Sequence, residues 1–202
     1  KNKIATVIPN PVRQDLPIHV DKDSKVIVTA CRLTRQKNLQ LLIDAFEMVL
    51  KQHPEYVLYI YGEGELKEEL YKSIERKVLT EKIFLKGFTK DICNKINEAD
   101  IFALSSDYEG MSNSMLEALG MGMPCVITDC PIGGARMLIK NMYNGVLVPV
   151  GDKKAFFNAL LFLIENKEKR QELGEAALRI RKDNSVEQIV DKWIKLLSRL
   201  TV

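Results

Sequence analysis

Residues 100–119 of the 202-residue chain read DIFALSSDYEGMSNSMLEAL, and this stretch decides the fold. Its apolar start ends in two serines, which is typical of a buried strand, and the four residues at its end have the pattern of a helix. A strand that turns into a helix predicts a βαβ unit and a parallel sheet. We therefore expect Glu109 in the connecting loop and Glu117 on the helix.

The two glutamates flank a predicted helix start, where backbone N–H groups attract anions. Carboxylates accept hydrogen bonds from hydroxyls. The arrangement therefore suits a ligand with hydroxyls on both sides of a phosphate group, such as a nucleotide-sugar, and open α/β sheets bind nucleotides at such turns. The alternative interpretation is a capping box, in which Ser114 caps the helix and Glu117 reaches back to the serine N–H.

A cationic cluster follows a second apolar run, residues 26–30. Arg32 and Lys37 lie between this predicted strand and an amphipathic helix that starts near Asn38. A hydrogen bond to a charged group contributes about 1.5–3 kcal/mol, against about 0.3–1 kcal/mol from a helix dipole. The two side chains would therefore dominate the binding of a diphosphate. The alternative is a basic turn exposed to solvent.

The remaining pattern alternates apolar runs with helical periodicity and predicts an α/β fold, a Rossmann-like doubly wound parallel sheet of about six strands with C-terminal helices. Strands are predicted near Val26–Cys31, Val57–Tyr61, Lys82–Leu85, Asp100–Leu104, Cys125–Thr128 and Gly145–Val148. Helices are predicted near Asn38–Gln52, Leu66–Lys77, Asp91–Glu98, Ser112–Met121, Gly134–Lys140, Lys153–Glu165, Glu168–Lys182 and Val186–Leu200. Residues 1–24 would be a lead-in or interdomain linker, 25–150 the nucleotide-sugar-binding domain and 151–202 a C-terminal helical segment.

Composition excludes several function classes. A net charge of +3 without a basic, aromatic-rich block argues against nucleic acid as a partner. No run is long enough to span a bilayer and no signal peptide opens the chain. The four cysteines show no C-x2-C pair, and His19 and His53 lack metal-ligand spacing. We expect a soluble cytoplasmic domain with reduced thiols and no metal site.

Seven short motifs occur in one order along almost the whole chain, and together they resemble the retaining glycosyltransferases of family 4. The pair Glu109 and Glu117 resembles the E-x7-E motif of that family, and residues 105–134 look most like its capsular and exopolysaccharide branch. The motifs are Arg32-Leu33-x3-Lys37-Asn38, Ile60-Tyr61-Gly62-Glu63-Gly64, Leu85-Lys86-Gly87-Phe88, Ala99-Asp100-Ile101-Phe102, Ser105 through Ala118, Gly122-Met123-Pro124-Cys125-Val126 and Asn144-Gly145-Val146-Leu147-Val148.

The resemblance implies transfer of a sugar, with retention at the anomeric carbon, from a nucleotide-diphospho-sugar to a glycan or lipid-linked acceptor in polysaccharide or capsule biosynthesis. The donor would be a UDP-sugar, although the sequence leaves uridine and guanosine open. Arg32 and Lys37 would neutralise the leaving nucleoside diphosphate without a metal cofactor. Glu109 would hold sugar hydroxyls and Glu117 the ribose hydroxyls. Further donor contacts are implied at Gly62, Phe88, Gly110, Met111, Ser112, Ser114 and Met115, although Gly62 and Phe88 also fit ordinary turns.

The enzymes of this family have the GT-B fold, which consists of two facing Rossmann-like halves. The chain has about the length of one half, and Val7-Ile8-Pro9-Asn10-Pro11 resembles the segment that leads into the second half. The resemblance thus implies the donor-binding C-terminal half. The N-terminal acceptor-binding half would be missing, and the fragment inactive without it. A location at the inner face of the membrane, with peripheral association through that half, would fit a lipid-linked acceptor.

The last predicted helix would cross back to the missing half. Its apolar residues Trp193, Ile194, Leu196 and Leu197 would then lose the surface against which they pack.

Two departures from the family pattern stand out: Cys31 replaces the usual glycine before the arginine, and Met137 replaces a usual glutamate. A non-hydrolysing sugar-nucleotide epimerase and a non-catalytic nucleotide-sugar-binding module are the alternative functions.

Overall fold

The computed structural model describes residues 6–199 and contains one parallel sheet with helices on both faces. The strands are β1 Val26–Ala30, β2 Val57–Tyr61, β3 Ile83–Gly87, β4 Ile101–Leu104, β5 Cys125–Thr128 and β6 Val146–Val148. The helices are α1 Leu39–Leu50, α2 Lys67–Arg76, α3 Ile92–Ile96, α4 Asn113–Met121, α5 Lys153–Glu165, α6 Lys167–Ala177, α7 Ile180–Asp183 and α8 Val186–Ser198. A short 3-10 turn, Arg35–Lys37, precedes α1.

The strands lie in the order β3-β2-β1-β4-β5-β6, and every neighbouring pair is parallel. The chain builds outward from β1 to β3, returns to place β4 beside β1, and builds outward again to β6. The order therefore reverses between β1 and β4, and open α/β sheets bind ligands outside the carboxyl ends of the strands at that point. The prediction of a doubly wound parallel sheet is confirmed.

Two apolar cores hold the sheet between its helices. On one face α1, α2 and α5 pack with fully buried side chains such as Phe46 and Phe156. On the other face α3, α4, α6 and α7 pack with residues such as Phe102 and Leu119. Each fully buried side chain of this size contributes about 1.5–3 kcal/mol relative to an exposed one. The sheet edge that carries the strand ends is thus a rigid support for any site built on it.

Asp100 explains why β4 starts beside β1. Its carboxylate is fully buried and accepts hydrogen bonds from Ser24 N at 2.7 Å, Ser24 Oγ at 2.9 Å and Lys25 N at 2.8 Å. Both donors immediately precede β1. The buried charge is therefore satisfied by the chain it aligns, which is what a buried carboxylate requires.

Strand bounds agree with the prediction to within two residues, but the predicted helix Gly134–Lys140 is absent. These residues form consecutive turns instead. The side chain of Asn144 accepts from Lys140 N at 2.8 Å and donates to Leu138 O at 2.9 Å, so it takes the backbone groups that a longer helix would pair. Periodicity alone does not reveal this competition between side chain and backbone.

The C-terminal segment also departs from the prediction. The single helix expected over 168–182 is two helices, α6 and α7, joined by turns in which Leu178 N bonds Glu175 O and Arg181 N bonds Leu178 O. Helix α8 begins as predicted and ends at Ser198, whereas the predicted end, Leu200, lies outside the described residues. Within the described part of α8 only Ile189 is buried. Trp193, Ile194 and Leu197 are about half exposed and Leu196 is partly buried.

Candidate functional site

The two sequence clusters meet at the carboxyl ends of β1 and β4. Ser105 Oγ, directly after β4, donates to the backbone oxygens of Lys37 at 2.9 Å and Asn38 at 3.0 Å. Asp107 N donates to Gln36 O at 2.9 Å, and the Asp107 carboxylate accepts from Asn38 Nδ2 at 2.6 Å. These cross-links fix the cationic turn against the loop that carries Glu109. Two segments that the resemblance assigns to one donor are therefore adjacent in the structure.

Lys37 and Glu109 form an ion pair across this junction. The Lys37 side chain is only 9% exposed and that of Glu109 19%. Gln36 Nε2 and Ser106 Oγ each lie 3.5 Å from the Glu109 carboxylate. The resemblance assigns Lys37 to the diphosphate and Glu109 to the sugar, whereas in the structure the two side chains pair with each other.

Helix α4 starts differently from the capping-box interpretation. Its N-cap is Ser112, whose Oγ accepts from Met115 N at 3.5 Å, so Ser114 lies inside the helix. Glu117 is then the fifth helical residue and lies beyond the first turn. The capping-box interpretation is wrong, and Glu117 has no role in capping this helix. Burial raises the pKa of the Glu117 carboxyl, and the nearby Arg13 guanidinium opposes that shift.

A cavity of about 370 Å³ joins five of the predicted site residues: Arg32, Gly62, Phe88, Ser114 and Glu117. The Phe88 ring is 73% exposed at its mouth. The lining combines apolar residues with the charged side chains of Arg32 and Glu117, which suits a flat polar ring with attached hydroxyls and phosphate. The remaining lining residues are Ala30, Cys31, Tyr61, Glu63, Thr89 and Ile92.

A narrow cleft of about 10 Å³ lies on the other side of the α4 start and is lined by Glu109, Gly110, Ser112 and Met115, among others. Met115 is 1% exposed and belongs to the core, so its side chain is not open to solvent at this cleft. The cleft is too small for a sugar ring. The predicted residues thus divide between two neighbouring places.

Two of the predicted positions, Met111 and Gly62, make close structural contacts. The Met111 sulfur accepts from Asn10 N at 3.2 Å. Gly62 has φ +134°, and a Cβ atom built there would lie 1.9 Å from Cys31 O. Because no side chain fits, Gly62 allows the ends of β1 and β2 to approach each other and shapes the cavity wall. Met137, which replaces the glutamate expected from the resemblance, is half exposed.

Sequence reasoning missed Arg13 and Gln36. Gln36 lies inside the cationic cluster, and its position two residues before Asn38 could have indicated a contact with the neighbouring loop. Arg13 Nη1 lies 3.9 Å from Glu117 Oε1, although the residues are far apart in the sequence. Arg13 lies in a segment without helix or strand, so no periodic pattern places it.

A larger cavity of about 700 Å³ lies between α2 and β3, at the edge of the sheet. It contains none of the predicted site residues, and it lies away from the reversal of strand order. The smaller cavity at β1 and β4 is therefore the candidate site. Among residues 6–199 no group of three or more His, Cys, Asp or Glu side chains is arranged to hold a metal ion. No helix in the described part of the chain is long and apolar enough to cross a membrane.

Comparison with known proteins gives the family. Residues 14–179 match the family model described as Glycosyl transferases group 1. The poly(glycerol-phosphate) alpha-glucosyltransferase of Bacillus subtilis strain 168 is 30% identical over 183 residues, which cover 91% of this chain and 27% of that enzyme. The chain thus spans about a quarter of the length of this curated relative.

Solved structures of glycosyltransferases have the same fold as this chain. A Staphylococcus aureus TarM variant, solved with Fondaparinux, alpha-GlcNAc-glycerol and UDP, superposes with a TM-score of 0.89 at 29% identity over 95% of this chain and 39% of its own. The C-terminal domain of the Francisella tularensis group 1 protein LpcC shares the fold, with a TM-score of 0.74 at 20% identity over 85% of this chain and 96% of that domain. The chain matches a C-terminal domain of the GT-B type, and it belongs to the glycosyl transferases group 1 family.

Proposed function

We propose that this chain binds a nucleotide-diphospho-sugar, a UDP-sugar, at the carboxyl ends of β1 and β4, and that it is the donor-binding half of a retaining glycosyltransferase. The observation that carries the proposal is that a cation and a carboxylate lie on each side of the α4 start: Arg32 and Glu117 line the 370 Å³ cavity, and Lys37 pairs with Glu109 beside the narrow cleft. Cations, carboxylates and a helix N-terminus thus lie in two adjoining places. A nucleotide-sugar has a complementary order of base, ribose, diphosphate and sugar.

The ribose would occupy the cavity beside Glu117, with the base toward Phe88. The Glu117 carboxylate faces this cavity from a helix that is packed in the core, and an ionised carboxylate accepts hydrogen bonds from both ribose hydroxyls. The diphosphate would then lie across the start of α4, between Arg32 and Lys37. Ser112 and Ser114 line the two sides of that start. UDP in the complex with the TarM variant supports uridine as the base.

The chemical role of the cations is to stabilise the leaving group. As the bond between the anomeric carbon and the phosphate oxygen breaks, the electron pair goes to the diphosphate. The acceptor hydroxyl oxygen forms the new bond to the anomeric carbon, and its proton passes to the leaving diphosphate oxygen. Arg32 and Lys37 would stabilise that developing charge, the kind of electrostatic effect that often contributes most to catalysis. They would do so without a metal ion. Glu109 would hold sugar hydroxyls and thereby orient the ring.

The acceptor would bind outside the described cleft, on the second half of a GT-B enzyme that faces the donor-binding half. The matched part of each relative supports a separate acceptor-binding half, since the chain covers only 27% of the Bacillus subtilis enzyme and 39% of the TarM chain. The proposed acceptor is a glycan or lipid-linked acceptor of polysaccharide biosynthesis, and the Escherichia coli relative named UDP-Gal:alpha-D-GlcNAc-diphosphoundecaprenol alpha-1,3-galactosyltransferase supports it. A lipid-linked acceptor would place the enzyme at the cytoplasmic face of a membrane. We propose that the 202-residue chain alone binds donor and transfers nothing.

Calorimetric titration of the 202-residue chain with UDP, GDP, UDP-glucose and UDP-N-acetylglucosamine tests the proposal. ADP is the control for the base. We expect UDP to bind in the micromolar to millimolar range, and one of the UDP-sugars to bind more tightly. Absence of heat with every nucleoside diphosphate at millimolar concentration would contradict the proposal. If GDP binds tightly and UDP does not bind, the donor is a GDP-sugar and the assignment of uridine is wrong.

A further inference from the structure

Arg13 lies beside the proposed ribose site and contacts three groups. Its Nε and Nη2 atoms pair with the Asp15 carboxylate at 3.1 and 2.8 Å. Its Nη1 atom lies 3.7 Å from Cys93 Sγ and 3.9 Å from Glu117 Oε1. Asp15 therefore orients the guanidinium, and the third nitrogen is left facing Glu117. Glu117 itself lies between the 370 Å³ cavity and a second cavity of about 280 Å³ that Arg13 helps to line.

The segment that carries Arg13 is anchored independently of that side chain. Val12 and Leu16, on either side of Arg13, are 2% and 5% exposed and belong to the core under α4. Val12 N donates to Asn184 O at 2.8 Å, and Arg181 Nη2 donates to Leu16 O at 2.6 Å. The rest of the domain thus fixes the backbone of Arg13, so its guanidinium is presented to Glu117 from a fixed position.

The Glu117 side chain is largely buried, and the Arg13 guanidinium lies beside it. Burial raises the pKa of its carboxyl, the Arg13 guanidinium opposes the rise, and the Asp15 carboxylate adds to it. Cys93 of α3 is the remaining titratable neighbour, and burial first and the Glu117 charge second raise the pKa of its thiol. A protonated Glu117 would lose acceptor capacity for hydroxyls. The other charged residues that line the same cavity are Arg32 and Glu63.

We propose that Arg13 is a positioning residue for nucleotide binding, which holds the Glu117 carboxylate in place and charged for the ribose hydroxyls. The inference rests on the proposed function, because it takes Glu117 as the ribose contact. An ionised carboxylate has about four acceptor positions, so Arg13 at Oε1 leaves room for two hydroxyls. Arg13 thus acts through Glu117 and makes no contact with the nucleotide.

UDP titrations across pH with wild type, Arg13→Ala and Arg13→Lys test the proposal. Arg13 is about half exposed, and pairs of this kind couple weakly, so we expect Arg13→Ala to weaken UDP about two- to fivefold at neutral pH. Arg13→Lys keeps the charge and should restore most of the affinity. Arg179→Ala, which removes an exposed arginine paired with Asp183 away from the site, is the matched control and should change nothing.

The pH profile separates this role from a purely structural one. Ribose hydroxyls stabilise the ionised carboxylate, so affinity is full above the pKa of Glu117 in the free protein and falls as pH drops through it. Removal of Arg13 raises that pKa further, and the fall should begin at higher pH in Arg13→Ala than in wild type. Carboxyl-carbon NMR of Glu117 in the free protein should show the same direction of shift. An unchanged NMR titration would overturn the proposal.

A double-mutant cycle with Glu117→Gln completes the test. In the Glu117→Gln background, Arg13→Ala should have no further effect on UDP affinity or its pH profile. A further loss would show that Arg13 contacts the nucleotide itself and would overturn the positioning role. If Glu117→Gln alone leaves UDP affinity unchanged, the assignment of ribose to Glu117 has failed. If Glu117→Gln weakens UDP while Arg13→Ala changes neither affinity nor pH profile, only the role of Arg13 has failed.

Discussion

Lys37 and Glu109, 72 residues apart in the chain, form an ion pair where the ends of β1 and β4 meet. Each of them is proposed to contact a different part of the donor, the diphosphate and the sugar. Glu109 is the counter-ion of Lys37 in the structure. A diphosphate that binds Lys37 would take over this role or share it with Glu109. Binding of the phosphates would then leave Glu109 available to the sugar hydroxyls, which couples the two ends of the donor.

The first prediction concerns this pair. Lys37→Met should weaken UDP roughly ten- to hundredfold, because a hydrogen bond to a charged group contributes about 1.5–3 kcal/mol. It should also lower the free energy of unfolding by about 1–3 kcal/mol, since a largely buried Glu109 loses its partner. Urea unfolding and calorimetry of the same samples measure the two effects.

The double variant Lys37→Met with Glu109→Gln is the control for that prediction. It removes both charges, so most of the stability should return while UDP affinity stays low. A double variant as unstable as Lys37→Met alone would show that the ion pair does not determine the stability of this junction.

The second prediction is that nucleotide binding does not depend on a divalent metal. Arg32 and Lys37 supply positive charge at the proposed diphosphate position, a role that Mg²⁺ has in other sites. UDP affinity measured by calorimetry in EDTA and in millimolar Mg²⁺ should agree within twofold, beyond the weak effect of Mg²⁺ on free UDP. Loss of binding in EDTA would contradict the assignment of the diphosphate to these two cations.

The third prediction concerns the close approach of two loops beside the α4 start. A Cβ atom built on Gly134 would lie 1.7 Å from Gly110 O, whereas one on Gly110 meets nothing within 4 Å. Gly134→Ala should therefore displace the loop that carries Gly110, destabilise the protein by about 1–3 kcal/mol as overpacking does, and weaken UDP-sugar binding. Gly110→Ala is the matched control. Thermal unfolding that shows equal losses for both variants would argue against this packing.

Most of the sheet could be predicted from the sequence, because its strands are short apolar runs bounded by turn residues. The adjacency of the Lys37 turn and the Glu109 loop followed from parallel topology, which brings strand ends to one edge. The ion pair between them did not follow, since it depends on side-chain conformations at a junction of two loops. The position of Glu117 on a helix was predicted correctly, and the predicted start at Ser112 lies one residue before the observed first helical residue, Asn113. Only the alternative capping-box interpretation placed the N-cap two residues late, at Ser114.

The remaining failures concern long-range contacts. The turns over 134–140 have a helical pattern, yet Asn144 and the close contact with Gly110 O favour turns. Arg13 lies in an irregular lead-in whose place is set by burial of Val12 and Leu16 rather than by local periodicity. Neither feature has a signal in a window of a few residues, so a single sequence cannot supply it.

The most direct test of the account compares Glu117→Ala with Glu109→Ala for UDP and for the UDP-sugar that binds best. Both ligands contain ribose, so Glu117→Ala should weaken both to a similar degree, roughly ten- to hundredfold. Glu109→Ala should weaken only the UDP-sugar and should not weaken UDP, because it frees Lys37 for the phosphates. Glu187→Ala, an exposed residue of α8, is the control and should change neither. Equal losses of plain UDP affinity in both site variants, or no loss in either, would contradict the account.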